Sequence, residues 1–137
     1  SSDLASQVDL ASYALMFLPG GMPGTLNLGA SALVTDEVRR RSAAGQPLAA
    51  ICAAPSILAE HGALQARHAT ANPGFMDAIA AGGALMSEAA VVRDANLITS
   101  RGMGTATELG FEIIRLLLGD DAEQVVARVK QGIVYQR

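Results

Sequence analysis

Two short, unbroken apolar runs, each stopped by small residues and separated by a helical pattern, restrict what this chain can fold into more than any other feature. The first is Tyr13-Ala14-Leu15-Met16-Phe17-Leu18, ended by Pro19-Gly20-Gly21. The second is Leu48-Ala49-Ala50-Ile51, which runs straight into Cys52-Ala53-Ala54-Pro55. Runs of this length without polar alternation suit strands buried on both faces. Between them, Ser31 to Val38 opens an amphipathic helix with apolar Leu33, Val34 and Val38, a charged side from Asp36 to Arg41, and Gly45 as its C-cap. The loop from Pro19 to Gly29 holds four glycines and two prolines, so backbone requirements shape it. Strand, helix, strand is the βαβ signature, whose crossover is nearly always right-handed. Two parallel neighbours finish at the same sheet edge. The Gly20-Gly21 loop is therefore expected beside Cys52, where open α/β sheets place their sites.

The rest of the chain continues the alternation more weakly. Ser56 to His61 reads as a short helix closed by Gly62, Arg67 to Ala71 as a short strand, and Gly74 to Ala80 as a short helix. Ala89-Ala90-Val91-Val92 and Leu97-Ile98-Thr99 flank Arg93-Asp94-Ala95-Asn96 as a hairpin. Thr105 to Leu118 is the strongest helix, with Leu109, Ile113, Leu116 and Leu117 on one stripe, and Asp120 is expected to cap a last helix carrying Val125, Val126 and Val129. No internal repeat is evident, and 137 residues fit a single domain over positions 1–137.

Composition removes several classes of function. Half the residues are hydrophobic and only 17% are charged, which excludes a disordered chain or a charged coiled coil. A net charge of -3, one basic run at Arg39-Arg40-Arg41 and no tryptophan argue against nucleic acid as a partner. A single cysteine rules out an intrachain disulfide framework and fits a reducing, cytoplasmic setting. No apolar stretch is long enough for a membrane span, and Ser1-Ser2-Asp3-Leu4 does not read as a signal peptide. No cofactor or metal is expected. Gly102 and Gly104 form GxG without the rest of a dinucleotide fingerprint, and His61 and His68 have no carboxylate cluster beside them.

The informative stretch is the turn at Cys52. A nucleophile at a strand-to-helix elbow stands exposed above the sheet while the backbone bends sharply beneath it, which requires small neighbours such as Ala50, Ala53 and Ala54. A helix starting near Pro55 would bring unpaired N–H groups towards the sulfur and favour thiolate, the form that attacks carbonyls and peroxides. The alternative is a small buried residue ending a core strand, a common place for a free cysteine.

Three segments together resemble the ThiJ/PfpI superfamily: Phe17-Leu18-Pro19-Gly20-Gly21, Ala49-Ala50-Ile51-Cys52-Ala53-Ala54-Pro55, and Leu97-Ile98-Thr99-Ser100-Arg101-Gly102-Met103-Gly104-Thr105. Ala53, where the PfpI-type proteases have histidine, points to the branch of the parkinsonism-associated protein deglycase and its bacterial relatives. The resemblance implies an α/β, flavodoxin-like three-layer sandwich with a mostly parallel sheet. It also implies a homodimer and a nucleophilic, oxidation-sensitive Cys52, faced by backbone N–H groups of the Gly20-Gly21 turn and Ala53. The activities it implies are glyoxalase or deglycase chemistry on small carbonyl compounds, or redox sensing and chaperone roles.

Two departures from that family pattern bear on activity. The family begins with a further strand-helix-strand unit of roughly fifty residues, which carries a glutamate that partners the cysteine. The present chain reads as the C-terminal part of such a domain. The natural protein is therefore expected to be longer, or the unit to be a separate chain, since without it the first apolar strand would be an exposed sheet edge. The second departure is Asn72, which stands in Thr70-Ala71-Asn72-Pro73 where the branch has histidine. An amide cannot serve as a general base, but it can orient a substrate oxygen. Arg101 is placed at the pocket, the dimer contact or simply its loop. His61, about 13 Å along a helix from Cys52, is expected to cap the helix end. His68 is expected to be a bystander, and Glu108 and Glu112 to be surface or interface charges. Two uses of Cys52 follow: addition to a methylglyoxal-type aldehyde as a hemithioacetal, or oxidation to sulfinic acid as a sensor.

Overall fold

The computed structural model describes residues 10–21, 24–133 and 135. Its main sheet is built on the two apolar runs: β1 is Met16–Leu18 and β2 is Leu48–Ile51, paired in parallel with Met16 opposite Leu48 and Leu18 opposite Ala50. Successive side chains of a strand point to opposite faces. Leu48 and Ala50 accordingly join a core with Leu18, Val38, Ile57 and Leu58 on one face, while Ala49 and Ile51 join Ile98 and Leu109 on the other. All four β2 residues are buried, as expected of a central strand.

β1 is not buried on both faces as its apolar run suggested, and it matches the expectation that in this chain the first apolar strand forms an exposed sheet edge. It lies at the edge of the sheet, and Leu18 is buried while Tyr13 is 56% and Phe17 43% exposed. The sequence cannot separate a central from an edge strand by hydrophobicity alone. The run after β1 also differs, because residues 24–30 are helical rather than loop: α1 is Gly24–Ala30. Tertiary packing overrides the low helix propensity of Gly24 and Gly29. A Cβ at Gly29 would lie 3.6 Å from Ile57 Cγ1, an ordinary contact, so α1 packs against Ile57 there without needing the glycine. Pro23 lies outside the described residues.

α2 (Ala32–Ala44) has the expected ends. Ser31 Oγ accepts the Val34 N–H, and Gly45 closes the helix at φ 68°. Its expected charged side is divided, however. Arg41 is 1% and Glu37 7% exposed. Arg41 Nε donates to Glu37 Oε1 at 2.8 Å, Nη1 to Pro47 O at 3.1 Å, and Nη2 to Leu10 O at 3.0 Å and Tyr13 O at 2.6 Å. Arg40 grips the same carboxylate with two bonds of 2.9 and 2.7 Å. The basic run is thus partly internal, and it clamps the segments leading into β1 and β2 onto α2.

After β2 come α3 (Pro55–Glu60), β3 (His68–Ala69), α4 (Met76–Ala81) and β4 (Leu85–Met86). β3 is shorter than expected and pairs in parallel with β4, which the sequence pattern did not reveal. The hairpin is β5 (Val91–Asp94) and β6 (Leu97–Ser100), antiparallel around Ala95-Asn96. Ala95 takes the left-handed conformation at φ 53°, so the turn needs only two residues and Arg93 and Asp94 belong to the strand. β6 is parallel to β2, giving the order β1-β2-β6-β5.

α5 (Ala106–Leu118) packs Leu109, Ile113 and Leu116 on the second face of the sheet. The arrangement is therefore three layers, with α5 on one side of the sheet and α2 and α3 packed into the core on the other. Leu117 falls off the α5 stripe and is 44% exposed, whereas Phe111 is buried against α6 (Ala122–Gly132) and the Tyr135 ring beyond it, 5.1 Å away edge-on. Asp120 does not cap α6. It sits in a single 3-10 turn, Gly119–Asp121, and the N-cap position belongs to Asp121, whose side chain makes no capping bond.

Removing the Arg41 guanidinium leaves Glu37 buried without that partner and three backbone carbonyls without theirs. Arg41→Ala is expected to lower unfolding stability by about 3–5 kcal/mol in urea titrations. The acid limb follows from the carboxylates. Hydrogen bonds from Arg40, reinforced by Arg41, hold the Glu37 carboxyl below its ordinary value of 4.5. The His68 backbone N–H and then Arg67 do the same for Asp94. Groups whose folded values are lowered contribute stability that is full above the unfolded value and lost as pH falls through the folded one. Urea midpoints should therefore fall below pH 4.5, and Glu37→Gln should make that fall shallower while lowering stability at pH 7.

Candidate functional site

The parallel pairing of β1, β2 and β6 brings three strand ends to one edge of the sheet. There β2 leaves the sheet at Cys52, whose φ of 65° is left-handed. That conformation costs an L-residue about 1–2 kcal/mol, so the surroundings must enforce it. The Cys52 N–H donates to Ser100 O at 3.0 Å, and the Cys52 carbonyl accepts the Asn72 N–H at 2.9 Å. Beneath the bend, the Ala54 N–H returns to Ile51 O at 3.1 Å, with Ala53 2% and Ala54 0% exposed. Small residues are required there because larger ones would displace the packed core under the turn.

Gly20 is required for a related reason. A Cβ at that position would come within 2.5 Å of Cys52 Cβ and 2.8 Å of Ile51 O. The adjacent Gly21 is left-handed at φ 98°, and its carbonyl accepts the Thr25 N–H at 2.8 Å to begin α1. Among the described residues, neither the Gly21 nor the Ala53 N–H donates to a backbone acceptor.

The half-buried Cys52 opens into a cavity of about 300 Å³, lined by Gly20, Gly21, Ile51, Cys52, Met103 and Ala106. Met103 stands at the mouth, 94% exposed. Among the described residues of that lining, the thiol is the only titratable side chain. Sequence reasoning passed over Ile51, Met103 and Ala106 as lining, although Ile51 and Met103 lie within the segments it singled out. It also passed over Thr105. Its hydroxyl meets the Arg101 N–H at 3.2 Å, the Gly102 N–H at 3.0 Å and Ser100 Oγ at 2.6 Å, holding the loop after β6.

Asn72 lies beside Cys52 through its backbone but outside the cavity lining. Arg101 also lies outside it: its Nε donates to Ala71 O at 3.0 Å and its Nη1 to Glu88 O at 3.4 Å, bracing the loops around the site. His61 occupies the C-cap of α3, with Nδ1 2.6 Å from Arg39 Nη1. His68 is exposed on β3. Glu112 pairs with Arg93 and Arg115, and Glu108 accepts the Tyr135 hydroxyl. Among the described residues, no three His, Cys, Asp or Glu side chains gather where a metal could bind, and no helix is long and apolar enough to cross a membrane.

If the left-handed turn is enforced from outside, a residue without a Cβ should relax it. Cys52→Gly is expected to unfold at least about 1 kcal/mol above Cys52→Ala, the reverse of the usual order of glycine and alanine in structured segments. Equal or inverted stabilities in parallel thermal melts would show that the turn stores no strain.

Comparison with known proteins agrees with this arrangement. Protein dj-1beta of Drosophila melanogaster is 38% identical over 123 residues, covering 90% of this chain and 66% of that protein. Its crystal structure superposes with a TM-score of 0.82 at 34% identity, over 99% of this chain and 69% of that one. Glutathione-independent glyoxalase DJR-1.2 of Caenorhabditis elegans is 30% identical over 110 residues, covering 80% of this chain and 58% of that protein. The chain thus spans less than two thirds of the length of these curated relatives. The likeness to the fly structure makes the fold flavodoxin-like, as the three-layer arrangement suggests. Residues 2–116 match the DJ-1/PfpI family across the strands, the elbow and most of α5, and the chain belongs to that family.

Proposed function

We propose that this protein converts methylglyoxal-type α-oxoaldehydes to hydroxy acids through Cys52. The observation that carries the reading is the half-buried thiol on a left-handed elbow, opening into a cavity of about 300 Å³. The glyoxalase named among its relatives supports the same reading. In the first step sulfur bonds to the aldehyde carbon, the C=O π pair moves to oxygen, and the thiol proton ends on that oxygen as a hemithioacetal. The Gly21 and Ala53 N–H groups are the oxyanion donors in this scheme. Transfer of the aldehyde hydrogen to the neighbouring carbonyl carbon, by way of a base, gives a 2-hydroxyacyl thioester. Water then cleaves this to the hydroxy acid and free thiol. One carbon is oxidised and its neighbour reduced, so no external redox partner is needed.

The base in this scheme is a glutamate from a segment preceding this chain in a longer protein or on a separate chain, because the cavity lining carries no carboxylate or imidazole. The exposed outer face of β1 supports a further segment there, and the full site would belong to a cytoplasmic homodimer. A sensor reading draws on the same lining. Oxidation of the thiolate to sulfinate consumes two peroxides, each reduced to water, and requires N–H donors but no base.

In the full-length protein, Cys52→Ala should abolish lactate formation from methylglyoxal, at least a thousandfold below wild type. Retained turnover would overturn the covalent scheme. Wild-type protein that is inert to methylglyoxal, yet gains two oxygens at Cys52 under mild peroxide, would move the assignment to the sensor.

A further inference from the structure

A second cavity, of about 250 Å³, lies between α1, α3 and α4, and its lining shares no residue with that of the Cys52 cavity. Its polar side chains are Thr25 on α1, and Ser56 and Glu60 on α3. Residues four apart stand on one face of a helix, so Ser56 and Glu60 face the cavity together. The rest of the lining is apolar, with Leu26, Ile57 and Phe75 as its large side chains. Thr25 is 3% exposed, yet among the described residues its hydroxyl has no hydrogen-bond partner. A buried hydroxyl in that state is costly, and an occupant that bonds to it recovers the loss.

The chemistry of the occupant follows from what the lining offers. Ser56 Oγ spends its proton on Ala53 O at 2.6 Å, so only its lone pairs remain for a ligand. The Glu60 carboxylate is likewise an acceptor, on an exposed residue. Among the described residues of the lining none is basic or carries an amide side chain, so an anion has nothing to hold it. Three side-chain oxygens suit the three N–H donors of a primary ammonium group, and the apolar walls suit a short carbon chain behind it. We infer that this cavity binds a small primary alkylammonium ion, with its NH₃⁺ on Thr25, Ser56 and Glu60 and its chain against Leu26, Ile57 and Phe75. The volume is below that of pockets for drug-sized molecules, which makes the occupant a short free amine. The inference is independent of the Cys52 reading.

The test titrates the ¹⁵N-labelled full-length protein with n-butylammonium, and with 1-butanol and butyrate as neutral and anionic probes of equal carbon count. Amide shifts of Thr25, Ser56 and Ile57 should saturate with butylammonium. Affinity for 1-butanol should be lower by about tenfold or more, the scale of a hydrogen bond to a charged group, and butyrate should give no saturable shift. Thr25→Val keeps the shape and removes the hydroxyl. Because that hydroxyl is unpartnered, the variant without amine should melt no lower than wild type, while binding butylammonium about fivefold to tenfold more weakly. Glu60→Gln, at an exposed position, removes the charge and should weaken binding by about threefold to tenfold. Shifts that grow without saturation, equal affinity for butylammonium and 1-butanol, or unchanged affinity in either variant overturn the inference. A Thr25→Val protein that melts well below wild type overturns it too, because the hydroxyl then already has a partner such as a buried water.

Discussion

The site depends on one constraint, the left-handed backbone at Cys52. A strand that ended in the ordinary way would carry its next side chain along the sheet or into a core layer. Here the chain reverses under the cysteine, and the side chain is left standing at the edge between β1 and β6. Two hydrogen bonds hold the residue: one from its N–H to Ser100 O and one to its carbonyl from Asn72 N–H. The unfavourable conformation is therefore maintained by groups on β6 and on the segment after β3. The loops carrying Asn72 and Arg101 are thereby tied to the elbow.

Much of this could be read from the chain because local chemistry and tertiary packing agree there. Ser31 and Gly45 bound α2 because a hydroxyl and a left-handed glycine satisfy helix ends wherever they occur. The small residues after β2 mark the elbow because any bulk would meet the core. What could not be read depends on partners distant in sequence. Arg41 looks like one of three surface arginines until its acceptors at Leu10 and Tyr13, about thirty residues away, are placed around it. α1 is hidden by Gly24 and Gly29, whose low helix propensity is overridden by packing on the rest of the fold. Leu117, expected on the stripe, is exposed while Phe111 is buried, because α5 packs on α6 as well as on the sheet and one stripe of leucines does not announce a second contact.

The two ends of the sheet solve the problem of an open edge differently. β5 is the antiparallel arm of a tight hairpin, it presents Arg93 and Asp94, and Arg67 and His68 bond to Asp94. Charge and a covering strand are ordinary ways to keep an edge from pairing with another chain. Among the described residues β1 has neither: Tyr13 and Phe17 face outward, and a hollow of about 290 Å³ beside them is lined by Leu15, Leu28 and Val34. This bare edge adjoins Gly20, where a Cβ would come within 2.5 Å of Cys52 Cβ. An element that paired with β1 would bury the aromatics and stiffen the glycine turn in the same act. In the proposed scheme the segment that supplies the glutamate is also the one that covers this edge, so folding and catalysis would be completed together.

The lining of the cavity also separates two demands that a cysteine site has to meet. Stabilising an anion, whether a hemithioacetal oxyanion or a sulfinate, needs N–H groups held in place, and in the proposed scheme those of Gly21 and Ala53 take that part. Moving a proton needs a titratable group near the reacting carbon, and no side chain of this lining other than the thiol can do so. Asn72 does not close that gap, because its oxygen is engaged with Gly74 and its nitrogen only donates. In the proposed scheme the described residues bind and polarise, and the group that sets turnover comes from beyond them. In that scheme capture of an electrophile at the elbow and its later turnover depend on different groups, so the two are separable.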